Sequence, residues 1–140
     1  MKTYQTFAQN LIDLLGGATA VRITVPGFMP LSVEEIGPGG EGSRLVSLCH
    51  YGEQNGDLMR DPDIVFMFHL LPDGLAAEPV SFRNDYMDTC QDVYMYDDAG
   101  KRTHVKPALK RELKDFSRTW FKNLRGQGFF SPEAKREILA

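Results

Sequence analysis

Arg44-Leu-Val-Ser-Leu-Cys-His-Tyr-Gly-Glu-Gln-Asn-Gly-Asp-Leu-Met-Arg-Asp-Pro-Asp-Ile-Val-Phe-Met-Phe-His-Leu-Leu71 is the stretch whose reading decides the fold. Its two ends, Arg44 to Tyr51 and Asp63 to Leu71, are short apolar runs of strand length. The segment between them is polar and rich in turn formers. Asn55-Gly56 tolerates the positive φ that a tight hairpin turn demands, and Asp61 before Pro62 adds a second turn signal. The expectation is an antiparallel strand pair joined by a long connection over residues 52–63, and long ordered connections carry function more often than short ones.

The same periodicity extends in both directions. Val21-Arg-Ile-Thr-Val25 alternates like a half-buried strand, and Met29 to Ile36 offers another, followed by a glycine-dense turn at Gly37-Pro-Gly-Gly-Glu-Gly42. That turn lacks the Gly-Lys-Ser/Thr ending of a phosphate-binding loop, so it reads as a hairpin connection. Glu78 to Arg83, Cys90 to Tyr96 and Arg102 to Lys106 continue the meander. Helical spacing frames it: Tyr4, Phe7, Ala8, Leu11, Leu14 and Leu15 form one stripe over residues 3–15, with Thr3 as N-cap and Gly16-Gly17 as the stop. Leu109, Leu113, Phe116, Trp120 and Leu124 form another, opened by Pro107 and closed by Gly126-Gln-Gly128. Ser131-Pro-Glu-Ala predicts a short terminal helix. The fold expected is α+β over one domain, residues 1–140: a curved antiparallel sheet of six or seven strands, with an N-terminal helix and a longer C-terminal helix packed on it.

Bulk composition narrows the classes of function. The 140 residues are 42% hydrophobic and 25% charged, ordinary for a globular protein, and no apolar run approaches the roughly 20 residues that span a bilayer. The first residues carry no signal-peptide pattern, so a cytoplasmic protein without a membrane role is expected. Cys49 and Cys90 fall in predicted strands and are expected to be reduced and buried. The net charge of −3 hides an asymmetry: residues 1–100 hold 5 Lys/Arg against 15 Asp/Glu, and residues 101–140 hold 11 against 4. An acidic body thus carries a basic C-terminal segment, which suggests internal neutralisation or an anionic partner.

Within the central block, His50, Glu53, Asn55, Asp57, Arg60, Asp61 and Asp63 are the candidate binding residues. Imidazole and carboxylates suit a divalent metal, but Met59 stands where a calcium loop needs oxygen, and the Glu-x-Lys at Glu112-Leu-Lys114 lies on a helix. No metal ligand set, cofactor or catalytic residue is assigned. Cys49 and His50 are strand neighbours and point to opposite faces, so they form no nucleophile–base pair. His69 reads as a hydrogen-bonded strand histidine and His104 as exposed.

His50 to Phe66 resembles the signature of an uncharacterised domain family found in bacterial, phage and integrative-element proteins. Glu78-Pro-Val-Ser-Phe82 and Asp85-Tyr-Met-Asp-Thr-Cys-Gln-Asp-Val-Tyr94 resemble its continuation, although Met87-Asp88-Thr89 replaces smaller residues. The helix with Trp120, Asn123, Leu124, Gln127 and Gly128 resembles its ending. The resemblance covers about Leu45 to Tyr96 and implies the company of mobile elements, with no chemistry attached.

Opposite the apolar stripe of the late helix, Lys110, Lys114, Arg118 and Lys122 recur every fourth residue, and Arg111 and Arg125 widen the band. Phosphate contacts from such a face would give salt-sensitive, sequence-independent nucleic-acid binding. The favoured reading is a small non-enzymatic accessory domain that binds a protein partner through the sheet or the segment 52–63. Two alternatives stand beside it: a nucleic-acid-binding accessory protein using the basic helix, and a metal-dependent hydrolase built on His50, Asp57, Asp61 and Asp63.

Overall fold

A computed structural model describes residues 2–38 and 43–140. Helix α1 (Lys2–Leu15) precedes strands β1 (Ala20–Thr24), β2 (Leu31–Pro38), β3 (Arg44–Gln54), β4 (Asp57–Leu71), β5 (Gly74–Asn84), β6 (Thr89–Asp92), β7 (Tyr94–Tyr96) and β8 (Arg102–Val105). Helix α2 (Pro107–Gln127) and strand β9 (Lys135–Ile138) follow. Among the described residues, seven strands make one antiparallel sheet in the order β6-β5-β4-β3-β2-β1-β9, and β7 pairs with β8 separately. This is the α+β architecture expected, with the longer helix second.

Both helices bury their apolar stripes against one face of the large sheet. Phe7, Leu11 and Leu14 of α1 meet Trp120, Phe121 and Leu124 of α2 over a floor of Val21, Ile23, Leu31, Val33, Val46, Leu48, Ile64 and Phe66. The Phe7 ring lies 6.0 Å from that of Phe66 and 5.4 Å from that of Phe121. Each such side chain contributes roughly 1.5–3 kcal/mol by leaving water, and this burial is the main force that sets the helices in place. Phe116 departs from the expected stripe: it stays 41% exposed, edge-on to Phe82, and Ser117 takes the buried position. Gly128, with φ 99°, ends α2 in the left-handed conformation that glycine adopts at no steric cost.

A second, smaller cluster lies on the other side of β4. Strand alternation turns Met67 away from Phe66 and Phe68, and there it meets Val93, Tyr94, Leu109 and Leu113. The first turns of α2 and the β7–β8 hairpin therefore cover the end of β4 and β5 that the main core does not.

Several expectations need correction. Helix α1 begins at Lys2, so Thr3 lies within it rather than capping it. The strand expected over Cys90 to Tyr96 divides at buried Val93, whose N–H bonds the Val80 carbonyl at 2.8 Å and whose own carbonyl accepts from Lys106 at 2.8 Å. Cys90 is exposed, on an edge strand with one side uncovered. The terminal helix expected from Ser131 is absent: Ser131 caps a single turn, and Lys135–Ile138 pair with β1 instead. The open edge of β1 offers a ready row of main-chain partners, whereas a helix of so few residues does not repay its nucleation. Residues 39–42 of the expected glycine-dense turn lie outside the described residues.

Candidate functional site

The segment 52–63 is not a loop. Strands β3 and β4 stay paired from Leu45↔Met67 to Gln54↔Asp57, so a two-residue turn, Asn55-Gly56, closes a ribbon. Their φ values of 53° and 87° are those of a tight primed turn, which matches the strand twist and lets pairing continue to the tip. The polar sequence of this segment hid its strand character because the ribbon is solvated rather than half buried. A register shift between Cys49 and Tyr51 absorbs the extra residue at Asp61-Pro62, where the peptide is cis.

The seven candidate residues of this segment go to different places. His50 turns toward the helices: its ring packs 5.7 Å from that of Trp120 and 5.4 Å from that of Phe129, with Nδ1 3.3 Å from the Pro30 carbonyl. Burial lowers its pKa below the usual imidazole value, the Pro30 and Met29 carbonyls opposing that fall only in part. Arg60 and Asp85 form a clasp. The Arg60 backbone N–H and Nε donate to Asp85 Oδ2 at 2.8 and 2.9 Å, and the Asp85 N–H returns a bond to the Arg60 carbonyl at 2.9 Å. These donors hold the Asp85 carboxyl below the ordinary carboxylate range. Asp61 accepts from Asn84 Nδ2 at 2.8 Å. Arg60 and Asp61 thus tie the base of the ribbon to the β5–β6 turn, and Tyr86 reaches over Gly52, where a methyl group would overlap its hydroxyl. Glu53, Asn55 and Asp57 remain exposed toward the tip. Asp63 lies on the sheet face away from His50.

That face, which the helices reach only through the first turns of α2, is where polar chemistry collects. Cross-strand register sets Arg22, Ser32, Cys49, Asp63, Arg83 and Cys90 in one row across β1 to β6. Glu34, Ser47, Val65, Ser81 and Asp92 form the next row. The small side chains at the centre leave a groove with three chambers. The middle one, about 320 Å³, is lined by Glu34, Ser47, Tyr51, Arg60, Asp63, Arg83 and Asp92 among others. It shares Ile36, Val65, Ser81 and Asp92 with an apolar chamber of about 230 Å³ that reaches Tyr94 and Tyr96. On the other side it shares Glu34 and Tyr51 with a chamber of about 700 Å³ bounded by Met29, Pro30, Gly52, Leu58 and Leu139.

The titratable groups of the groove are set by burial. The Ser47 hydroxyl donates to Asp63 Oδ1 at 2.6 Å, yet desolvation outweighs that bond and raises the Asp63 carboxyl. Desolvation first, then the Asp63 charge, pushes the Cys49 thiol up to about 12, so it stays protonated and unreactive. Tyr51, beside it, is likewise pushed up to about 12. The chemistry this supports is recognition by fixed donors and acceptors; the thiol is too basic for a nucleophile. Among the described residues no group of three or more His, Cys, Asp or Glu is arranged to hold a metal ion, and His50 lies across the sheet from Asp63.

The basic helix face is largely spent on the chain itself. Lys110 Nζ sits 3.1 Å from both Glu78 Oε2 and the Tyr94 hydroxyl. Arg118 reaches Asp115 and Thr3, both at 3.4 Å, and Arg125 donates to Asn10 at 2.9 Å while stacking 4.0 Å from the Phe130 ring. Lys114 stands 5.7 Å from the Tyr4 ring. Arg111 and Lys122 keep no such partner among the described residues.

Sequence reasoning missed two features. Ser47, Tyr51, Arg83 and Asp92 belong to the groove, and only period-2 alternation combined with the pairing register brings them together. Glu78 is the other. It is buried, and it accepts hydrogen bonds from His69 Nε2 at 3.0 Å, from Lys110 and from the Tyr94 hydroxyl. A lone acidic residue before a proline in a strand gives no sign of such a hub.

A family model described as a domain of unknown function (DUF6908) matches residues 2–130. No curated protein and no solved structure matches the chain.

Proposed function

We propose that the chain, which belongs to the DUF6908 domain family, is a small non-enzymatic accessory domain that binds a protein partner in the groove of its open sheet face. The observation that carries this reading is the groove's continuity. It runs from Leu139 and Leu58 past Tyr51 to Tyr94 and Tyr96, where the first turns of α2 bound its end, with Leu58 70% exposed at the ribbon. Apolar side chains left in water beside fixed polar groups are what a recognition surface requires. Such a module works where both cysteines stay reduced, as in a cytoplasm. The resemblance of the central block to phage and integrative-element proteins supplies the setting. Among the described residues no helix is long and apolar enough to cross a membrane.

Selection of random peptides displayed on phage tests the reading. Peptides retained by the wild-type domain should lose at least tenfold in binding to Leu58→Asp and Ile36→Lys, two exposed positions whose change leaves the core intact. Failure to select any peptide, or selection of peptides that bind both variants as well as wild type, would overturn it.

A further inference from the structure

We infer that the groove's occupant is an extended protein segment that presents one basic side chain between apolar ones, with the basic head in the middle chamber against Asp63. This rests on the interaction reading above and specifies its chemistry.

Length argues for a protein segment. The groove crosses the strands from the Leu139 end to Tyr94 and Tyr96, and strands about 4.8 Å apart make that span roughly 25 Å. Eight residues of extended chain, at about 3.3 Å each, cover the distance. A small molecule would fill one chamber only.

Charge argues for the basic side chain. The middle chamber carries Glu34, Asp63 and Asp92 against Arg60 and Arg83, and Arg60 is already matched by Asp85 through the clasp. The carboxylates therefore outnumber the cation left to balance them. Asp63 is the most confined of them: Ser47 occupies Oδ1, and no donor among the described residues reaches Oδ2. An arriving guanidinium or ammonium would restore to that carboxylate the charge stabilisation that burial removes. The same carboxylates repel phosphate, which sets nucleic acid aside as occupant of this face.

The flanks define the rest. Ile36, Leu45, Met67 and Val80 with Tyr94 and Tyr96 make the neighbouring chamber predominantly apolar, and Met29 with Leu58 does the same on the opposite side. A cation alone would leave both flanking chambers unfilled. An apolar residue alone would leave half-buried Asp63 with Ser47 as its one hydrogen-bond donor among the described residues.

Two measurements on the full chain test this. In the first, 4-phenylbutylammonium and its neutral counterpart 4-phenylbutanol are titrated into 15N-labelled protein. The expected result is that amide shifts map to residues 47–51, 63–65 and 81–83, and that the ammonium binds at least fivefold more tightly than the alcohol. Asp63→Asn, which keeps the Ser47 hydrogen bond, should erase that difference and leave the melting temperature unchanged. Equal binding of the two probes, or shifts confined elsewhere, would overturn the inference.

In the second, the phage-selected peptides are sequenced and tested on Asp63→Asn. Enrichment in Arg or Lys flanked by apolar residues, with affinity lost in the variant, supports the inference. Groove-dependent peptides with no basic residue, or with unchanged affinity for Asp63→Asn, would overturn it and leave the interaction reading standing. A salt-sensitive dimer of the pure chain that Asp63→Asn dissolves would also overturn it, since a second copy would then be the occupant.

Discussion

Replacing Glu78 by Gln removes one charge from the densest polar contact in the molecule while keeping its shape. The Glu78 side chain is 6% exposed; Oε1 faces His69 Nε2 at 3.0 Å, and Oε2 takes the Tyr94 hydroxyl and Lys110 Nζ, the latter at 3.1 Å. Hydrogen bonds to a charged group contribute about 1.5–3 kcal/mol each, and breaking a fully buried ion pair costs about 3–5 kcal/mol. Two features reduce the loss here. The amide keeps one acceptor, and Lys110, 38% exposed, stays partly hydrated. A destabilisation of about 2–3 kcal/mol follows, and for a chain of this size that lowers Tm by about 6–9 °C. The pH dependence carries a second signature. Burial alone would raise the Glu78 carboxyl, but the bonds from Tyr94, Lys110 and His69 prevail and hold it below the ordinary value. A carboxyl depressed in the folded state stabilises above its unfolded value of about 4.5, and that contribution disappears as pH falls through the lower folded value. Urea unfolding followed by Trp120 fluorescence, at pH 7 and across pH 5 to 3, should show a smaller gap between wild type and Glu78→Gln as pH drops. A loss under about 0.5 kcal/mol at pH 7, or a constant gap across that range, would refute the assignment of Glu78 as the hub.

Other expectations are simpler to read. Because burial lowers the His50 pKa, folding holds the ring neutral, and stability should fall as pH drops below about 6.5; His50→Phe should flatten that slope in thermal melts, and an unchanged slope would contradict it. Gly56→Val forces a β-branched residue to φ 87° and should cost about 1–2 kcal/mol in chemical denaturation, with the damage confined to ribbon amides in NMR. Alkylation of the native protein should modify Cys90 alone, read by mass spectrometry, since Cys49 is buried with its thiol pushed up to about 12; prompt labelling of Cys49 would show that the face opens. Retention on DNA at about 0.15 M salt through the basic face of α2 should be absent, because the two cations of that face without a partner among the described residues, Arg111 and Lys122, contribute a salt slope of only about −2. Salt-sensitive retention removed by Arg111→Glu/Lys122→Glu would reverse that conclusion.

The elements that sequence made legible are those whose pattern reports burial on one side. Leu11 and Leu14, or Leu113 and Trp120, repeat at helical spacing because one face of each helix meets the sheet, and Val46 with Leu48 alternates for the corresponding reason. The ribbon from Gly52 to Arg60 reads as a loop in sequence because neither of its faces is buried, so no alternation marks it, although Asn55-Gly56 announces the turn. The segment of β9 reads as a helix in sequence because its pairing with Val21 to Thr24 is a property of two segments far apart in the chain. The groove failed to show for a related reason. Asp63 was legible as a candidate, but its neighbours Ser47 and Arg83 reach it only through the register of three strands. The cations of α2 were legible as a stripe, while their partners Glu78 and Asn10 come from other elements.

Strand order also dictates a timetable. From β1 to β6 each strand of the large sheet pairs with the strand before it, so five of the six pairings close through short connections and form early. The sixth joins β1 to β9, residues 20–24 to residues 135–138. At translation rates of about 5–20 residues per second, β1 waits about 6–20 s for its last neighbour. Through that interval the nascent sheet presents a bare strand of Ala20, Val21 and Ile23, the kind of edge at which chains on neighbouring ribosomes pair with each other.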